Sequence, residues 1–233
     1  MEPDLHLIIV AGGSSRRFGG GDKLLADLNG APVFVHSLRR LTQAVTGKSV
    51  VVVPRGRIRE FQEAAFPFVR DLKLLWCEGG SSRSASVKNG VAALGENPGI
   101  VAVHDAARPL ANVNLLKRLY DAALATGAAL PGKPVADTLW KSDGETLDAT
   151  VAREGLFAVE TPQLFDLELW KKAQTLFPDA DLTDDAGLLR KAGFPVALVL
   201  NPEPNIKLTT PADLMSLFIH FDEGESKKHE WQS

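Results

Sequence analysis

Cysteine is nearly missing from this sequence. Cys77 stands alone among 233 residues, which excludes an internal disulfide framework and a cysteine-based zinc site. No apolar run approaches the roughly 18 residues that span a bilayer. No charge of one sign dominates, since 26 Lys plus Arg against 29 Asp plus Glu leave a formal net charge of −3. Bulk attraction to nucleic acid is thereby excluded, and an anion site must come from locally gathered cations. The first residues, Met1-Glu2-Pro3-Asp4, carry acids where a secretory leader carries basic residues, so a soluble protein of the reduced cytoplasm is expected. There is no internal repeat of solenoid length. What remains, at 45% hydrophobic and 24% charged residues, is an ordinary globular chain of a length that α/β folds often reach as one domain.

Leu5–Val10, Ser49–Val53, Leu72–Cys77 and Ile100–His104 are near-continuous apolar runs, the pattern of parallel strands covered on both faces. Between them Pro32–Val45, Arg57–Ala65 and Ser84–Leu94 space apolar residues at three and four, which predicts helices. Right-handed crossovers then give an α/β fold with an open, doubly wound, mostly parallel sheet, whose ligands bind beyond the C-terminal strand ends. The rhythm breaks near Gly132, where short alternating stretches flank the turn residues Ser142-Asp143-Gly144. This predicts a projecting β-hairpin arm. Isolated hairpins are marginal in water, so an arm bearing Leu139, Trp140 and Leu147 is expected to pack on a second subunit, with packing on its own domain as the alternative. Helices over Leu167–Leu176 and Asp184–Lys191, a strand over Val196–Leu200 and a last helix from Pro211 follow, and the polar stretch Asp222–Ser233 is expected to fray.

The segments just after the strands carry the chemistry. The first strand runs into Ala11-Gly12-Gly13-Ser14-Ser15-Arg16-Arg17-Phe18-Gly19-Gly20-Gly21-Asp22-Lys23. Glycines let backbone amides approach a ligand, and the added cations make this a phosphate loop by chemistry. It matches neither the GxxxxGK[ST] nor the GxGxxG pattern. After the third strand, Glu78-Gly79-Gly80-Ser81-Ser82-Arg83-Ser84-Ala85-Ser86 opens a helix, with a serine N-cap as its ordinary role. After the fourth, Asp105 in His104-Asp105-Ala106-Ala107-Arg108-Pro109 is placed to hold Mg²⁺ carried by a polyphosphate. His104 reads as a packed strand residue. Lys207 and Thr183 read, by themselves, as a solvated lysine and an N-cap. No Ser/His/Asp order or His-rich cluster is present, so nucleophilic hydrolysis and zinc catalysis lack candidates.

AGGSSRRFGGGDK, EGGSSRSASV, HDAARP, Asp137-Thr138, TVAREGL, ETPQLF, TDDA and NIKLTTPADL, in this order, resemble the 2-C-methyl-D-erythritol 4-phosphate cytidylyltransferase family of the non-mevalonate isoprenoid pathway over about residues 5–220. The resemblance implies one nucleotidyltransferase domain over residues 1–221, an arm over 133–155 that dimerises, and a polar tail over 222–233. It implies cytidylyl transfer from CTP to 2-C-methyl-D-erythritol 4-phosphate with Mg²⁺. The implied catalytic residues are Arg17, Lys23 and Lys207. Ala11, Gly12, Gly13, Gly80, Ser86 and Asp105 would bind the nucleotide, Asp105 also the metal. Arg108, Thr138, Arg153, Thr161 and Thr183 would bind the acceptor, with Thr138 and Arg153 reaching into the neighbouring subunit of a homodimer.

Three positions depart from the family pattern. Gly21-Asp22-Lys23-Leu24-Leu25 stands where a PKQ-like segment is usual, Ser81 where an acid often follows the glycine pair, and Pro204 just before Asn205. The first bears on the loop conformation, the second on base selectivity and the third on the entry to the Lys207 loop. A D-ribitol 5-phosphate cytidylyltransferase is the alternative within the fold. A non-catalytic nucleotide-binding protein is the alternative of another class; loss of Arg17, Lys23, Asp105 or Lys207 would mark it, and all four are present.

Overall fold

A computed structural model describes residues 2–12, 18–180 and 184–230, the last nine as backbone only. The chain runs β1 (Leu5–Val10), a short hairpin of β2 (Asp27–Leu28) and β3 (Ala31–Pro32), α1 (Val33–Leu41), β4 (Ser49–Val53), α2 (Ile58–Ala65), β5 (Leu74–Glu78), α3 (Arg83–Leu94), β6 (Ile100–Asp105) and α4 (Val113–Thr126). There follow β7 (Ala128–Pro134), β8 (Leu139–Ser142), β9 (Leu147–Val151), β10 (Phe157–Val159), β11 (Gln163–Asp166), α5 (Leu167–Leu176), α6 (Asp185–Lys191), β12 (Ala197–Leu200) and α7 (Pro211–Glu230).

The four apolar runs form neighbouring parallel strands in the order β6-β1-β4-β5. Their side chains alternate between two cores. Leu7, Ile9, Val51, Val53 and Ala102 face α1, α2 and α4, while Ile8, Val50, Val52, Val101 and Val103 face α3, α5 and α6. All ten are fully buried. This two-sided covering is why the strands read as continuous apolar runs instead of alternating ones. Helix α3 reaches the sheet at Gly90, where a Cβ would lie 2.7 Å from Ile8 Cγ2 and 3.0 Å from Val52 Cγ2. Truncating a side chain such as Ile8 here costs about 3 kcal/mol.

The sheet continues as β11 and β7. β11 runs antiparallel to both β6 and β7, β10 also pairs antiparallel with β7, and β12 adds parallel to β7. The sheet is therefore mostly parallel with antiparallel additions. The arm is shorter than expected: only β8 and β9 pair as a separate hairpin, whereas Lys133 and Pro134 stay in β7. Its turn is built by Asp143, whose Oδ1 accepts from the amides of Glu145 (3.0 Å) and Thr146 (2.8 Å). Gly144 adopts φ 107° there. Every residue from 140 to 150 is exposed, so the arm does not fold back on its own domain.

Other differences have local causes. The third strand starts at Leu74, because Leu72 closes a turn by donating to the carbonyl of Val69. Helix α4 adds to the helices expected above; its Leu115, Leu116, Leu119 and Ala123 have helical spacing and are buried. Asn112 caps its start by accepting from the Leu115 amide, and Gly127 ends it in the left-handed region. The expected frayed tail is helical to Glu230, since 222–230 hold no proline and several good helix formers. The cap of α6 is Asp184; Thr183 lies outside the described residues.

Candidate active site

The C-terminal ends of β1, β5 and β6 open onto one cleft of about 410 Å³. Gly12, Lys23, Gly80, Ser81, Arg83, Ser86, Asp105 and Lys207 line it, so six of the expected catalytic or binding residues meet there. Gly13 and Arg17 lie outside the described residues. Ala11 is fully buried, with its amide donating to the carbonyl of Val52 (2.7 Å).

The β5–α3 loop is tight. Gly79 donates its amide to Val53 (2.7 Å) and Gly80 donates to Ser86 Oγ (3.1 Å). A Cβ at Gly79 would sit 2.8 Å from Ser86 Oγ, and one at Gly80 2.3 Å from Ala85 Cβ. These glycines are required by close packing. Ser82 is the N-cap of α3, its side chain accepting from the Ala85 amide. The helix thus starts beside the cleft with its amide ends toward it, an arrangement that favours anions.

Asp105 is the electrostatic centre. Lys207 Nζ lies 2.7 Å from its Oδ2, Arg83 Nε 3.3 Å from its Oδ1, and Arg108 Nε 4.0 Å from its Oδ2. Burial pushes the Asp105 carboxyl up, but the Lys207 ammonium and the Arg83 guanidinium outweigh it and hold it well below the usual carboxylate range. Arg83 also donates to Asp185 Oδ2 (2.8 Å). Burial keeps the Asp185 carboxyl above its ordinary value despite that partner. Sequence reasoning missed Arg83 and Asp185 because Arg83 sits among capping serines and its partner is far along the chain.

Lys23 is buried, and its Nζ donates to the carbonyl of Leu208 (2.8 Å). Leu208 in turn donates its amide to Ala107 (2.8 Å), so the glycine loop, the β6 end and the NIK segment are tied together. Arg108 donates to the carbonyl of Asn205 (2.7 Å). Asn205 is fixed from beneath by Glu160 Oε2, which accepts from the side-chain amides of Asn201 (2.8 Å) and Asn205 (3.0 Å).

Thr161 is buried behind Asp105 instead of facing the cleft. Its Oγ1 accepts from the Asp105 amide (3.1 Å) and lies 3.1 Å from His104 Nδ1. The other ring nitrogen of His104 faces the carbonyl of Arg108 at 3.0 Å. A carbonyl only accepts, so Nε2 carries the proton and Nδ1 accepts from Thr161. Burial pushes the His104 imidazole down to about 4, which makes it a neutral structural residue. Thr138 and Arg153 are exposed on or beside the arm and do not line the cleft of their own chain. Arg153 donates to the carbonyl of Ala136.

Among the described residues no group of three or more His, Cys, Asp or Glu side chains is placed to hold a metal ion. Asp105 alone fits Mg²⁺ in the way that ion is often bound, through one carboxylate with substrate phosphates completing the shell. No helix of the described chain is long and apolar enough to cross a membrane.

The profile of the 2-C-methyl-D-erythritol 4-phosphate cytidylyltransferase family matches residues 5–219. A relative of that name from Geobacillus thermodenitrificans is 37% identical over 212 residues, covering 89% of this chain and 92% of its own. Another from Prochlorococcus marinus is 38% identical over 219 residues, with 90% and 95% coverage. The chain also matches the bifunctional enzyme IspD/IspF of Solidesulfovibrio magneticus at 38% identity, spanning 91% of this chain but only 56% of that longer protein. The crystal structure of the Thermus thermophilus cytidylyltransferase superposes with a TM-score of 0.74 at 31% identity, covering 94% of this chain and 98% of its own. Sequence order, fold and cleft agree, and the chain belongs to the 2-C-methyl-D-erythritol 4-phosphate cytidylyltransferase family.

Proposed function

We propose that the protein transfers the cytidylyl group of CTP to the phosphate of 2-C-methyl-D-erythritol 4-phosphate, as a cytoplasmic homodimer acting with Mg²⁺. The observation that carries this is the convergence of Lys23, Arg83 and Lys207, from three separate segments of the chain, on one cleft around Asp105.

An acceptor phosphate oxygen is already an anionic nucleophile, so no protein base is needed. It attacks the α-phosphorus of CTP; a new P–O bond forms, the bond to the β-phosphate breaks, and pyrophosphate leaves with the electron pair. The difficulty is bringing two polyanions together while charge moves onto pyrophosphate, which fixed cations and amides relieve. Lys23, and Arg17 by resemblance, serve the triphosphate. Lys207 is held by Asp105 with its side chain 43% exposed, so its ammonium can turn to the reacting phosphates when they arrive. Asp105 would hold Mg²⁺ together with the phosphates, and the ion would supply further neutralisation of phosphate charge. Gly80 and Ser86 support the cytidine, and Arg108 the acceptor side.

The exposed arm supports the dimer. Trp140 is 49% and Leu147 65% exposed on a hairpin whose residues 140–150 are all exposed, and such apolar surface is stabilised by a partner. Thr138 and Arg153 would then complete the acceptor pocket of the neighbouring subunit.

The test is pyrophosphate release from CTP with Mg²⁺, using 2-C-methyl-D-erythritol 4-phosphate and D-ribitol 5-phosphate in parallel. Release with the first acceptor is expected. Release with ribitol phosphate alone would move the protein to the sister activity, and silence with both would leave a nucleotide-binding protein.

A further inference from the structure

The glycine loop ends at Asp22 and Lys23, and the acid stands directly beside a lysine that must face a triphosphate. Asp22 is mostly buried, with its side chain 10% exposed. Its Oδ1 accepts from the Leu24 amide (2.9 Å), and its backbone carbonyl accepts from Leu25 (3.0 Å) and Ala26 (3.1 Å). Its Oδ2 accepts from Arg57 Nη1 at 2.5 Å, across 35 positions of sequence.

Arg57 is well anchored for this contact. Its Nε and Nη2 donate to the two carboxylate oxygens of Glu60 (2.6 and 2.8 Å), and its guanidinium carbon lies 5.1 Å from the ring centroid of Phe61, itself fully buried. The hydrogen bond to Glu60, joined by that to Asp22, favours the charged guanidinium more than burial disfavours it, so it stays ionised. A planar fork pinned on one edge and over a ring loses little freedom in reaching Asp22 with its remaining nitrogen. The preceding residue extends the strut: Gly56 donates its amide to Glu78 Oε1 (2.8 Å), at the end of β5 where the Gly79-Gly80 turn begins. The β4–α2 loop thus braces two of the segments that line the cleft.

We propose that Arg57 is a positioning residue for Lys23. Through its ion pair with Asp22 it fixes the chain where the glycine loop ends and keeps the neighbouring carboxylate engaged, so that the Lys23 ammonium is presented to the cleft and to Leu208 O. The inference rests on the role given to Lys23 above. It names a fixed point exactly where this sequence has Gly21-Asp22 in place of the family's usual PKQ-like segment.

The experiment is a double-variant cycle in the full-length protein, read as kcat and KM for pyrophosphate release and as the Kd of CTP by calorimetry without acceptor. Wild-type activity is the control for the cytidylyltransferase reading, so a silent wild type overturns that reading, while the CTP affinities still judge Arg57. Arg57→Ala is expected to lower kcat/KM about tenfold. Arg57→Lys, which keeps the charge, is expected to recover part of the loss. So is Arg57→Ala combined with Asp22→Asn, which keeps an acceptor for the Leu24 amide and removes the charge. In a Lys23→Ala background the same Arg57→Ala change is expected to weaken CTP binding less than twofold, because its route of action is gone. Melting temperatures of the singles report folding independently. Arg57→Ala with wild-type kinetics and CTP affinity, or a loss of CTP affinity undiminished in the Lys23→Ala background, would overturn the proposal.

Discussion

Lys207 and Asp105 stand 102 positions apart in the chain, yet the ammonium and the carboxylate meet at 2.7 Å on the wall of the cleft. The pair holds the cation ready without burying it, since the lysine side chain remains 43% exposed. Lys207→Ala is therefore expected to leave the fold intact and to lower kcat by about a hundredfold or more, the scale of losing one preorganised charge contact to a transition state. Asp105→Asn is expected to do harm of two kinds. It lowers turnover, and it costs about 3 kcal/mol of stability by leaving Arg83 and Arg108 gathered without their common counter-charge. Steady-state kinetics and denaturant melts of both proteins check this; near-normal turnover in Lys207→Ala would remove it from the reaction.

Lys23 is the converse case, a buried lysine whose Nζ is already hydrogen-bonded to Leu208 O at 2.8 Å. Lys23→Ala is expected to lower kcat by about a hundredfold or more and also to loosen the contact between the glycine loop and the NIK segment. CTP affinity should fall with turnover. If calorimetry finds CTP affinity unchanged and kinetics finds kcat intact, the lysine is a structural tie and nothing more.

The legible part of this protein was the part whose signal is local. Two-sided burial makes Leu5–Val10 or Ser49–Val53 apolar throughout, and the strand ends then mark where ligands bind, which singles out Gly12, Gly80 and Asp105. Lys23, Arg17 and Lys207 owed their roles to motif order. What escaped depends on contacts distant in sequence. Arg83 looks like one residue in a serine-rich cap until Asp185 and Asp105 are brought to it. Thr161 reads as a pocket hydroxyl until its oxygen is found serving the Asp105 amide and the His104 ring. Glu160, which anchors Asn201 and Asn205, opens the ETPQLF motif but shows no role there, since a buried acid is recognised only by its partners. Helix α4 is legible in principle, with a capping Asn112 and a closing Gly127.

His104 gives a pH dependence that has nothing to do with catalysis. Burial lowers its folded-state value from 6.5 to about 4. Between those values the unfolded chain binds a proton that the folded protein refuses, so stability falls as pH drops through the window. The full effect is about 3 kcal/mol. Asp185, held up by burial, contributes with the opposite sign, so the quantity to read is the difference between wild type and His104→Asn. The variant is expected to be less stable at pH 7 and to show a flatter decline of melting temperature toward pH 4.5. Parallel slopes for the two proteins would mean that His104 is not the residue that titrates.

The proposed role of the arm is tested by mixing two dead proteins. In Lys23→Ala the defect lies in the cleft of its own chain, whereas Arg153 is exposed and does not line that cleft. If Arg153 serves the neighbouring subunit, a dimer of one Lys23→Ala chain and one Arg153→Ala chain contains one cleft with both defects and one with neither. Statistical exchange puts about half of the dimers in this hybrid form, each with one working site of two. The mixture is then expected to regain about a quarter of wild-type turnover, while each variant alone stays near its own baseline. Arms acting within their own chain would give the opposite arithmetic, because every cleft would then carry one defect or the other. Pyrophosphate release after subunit exchange, with exchange verified by differently tagged chains, separates the two: recovery places Arg153 in the partner's site, and its absence returns the arm to its own subunit.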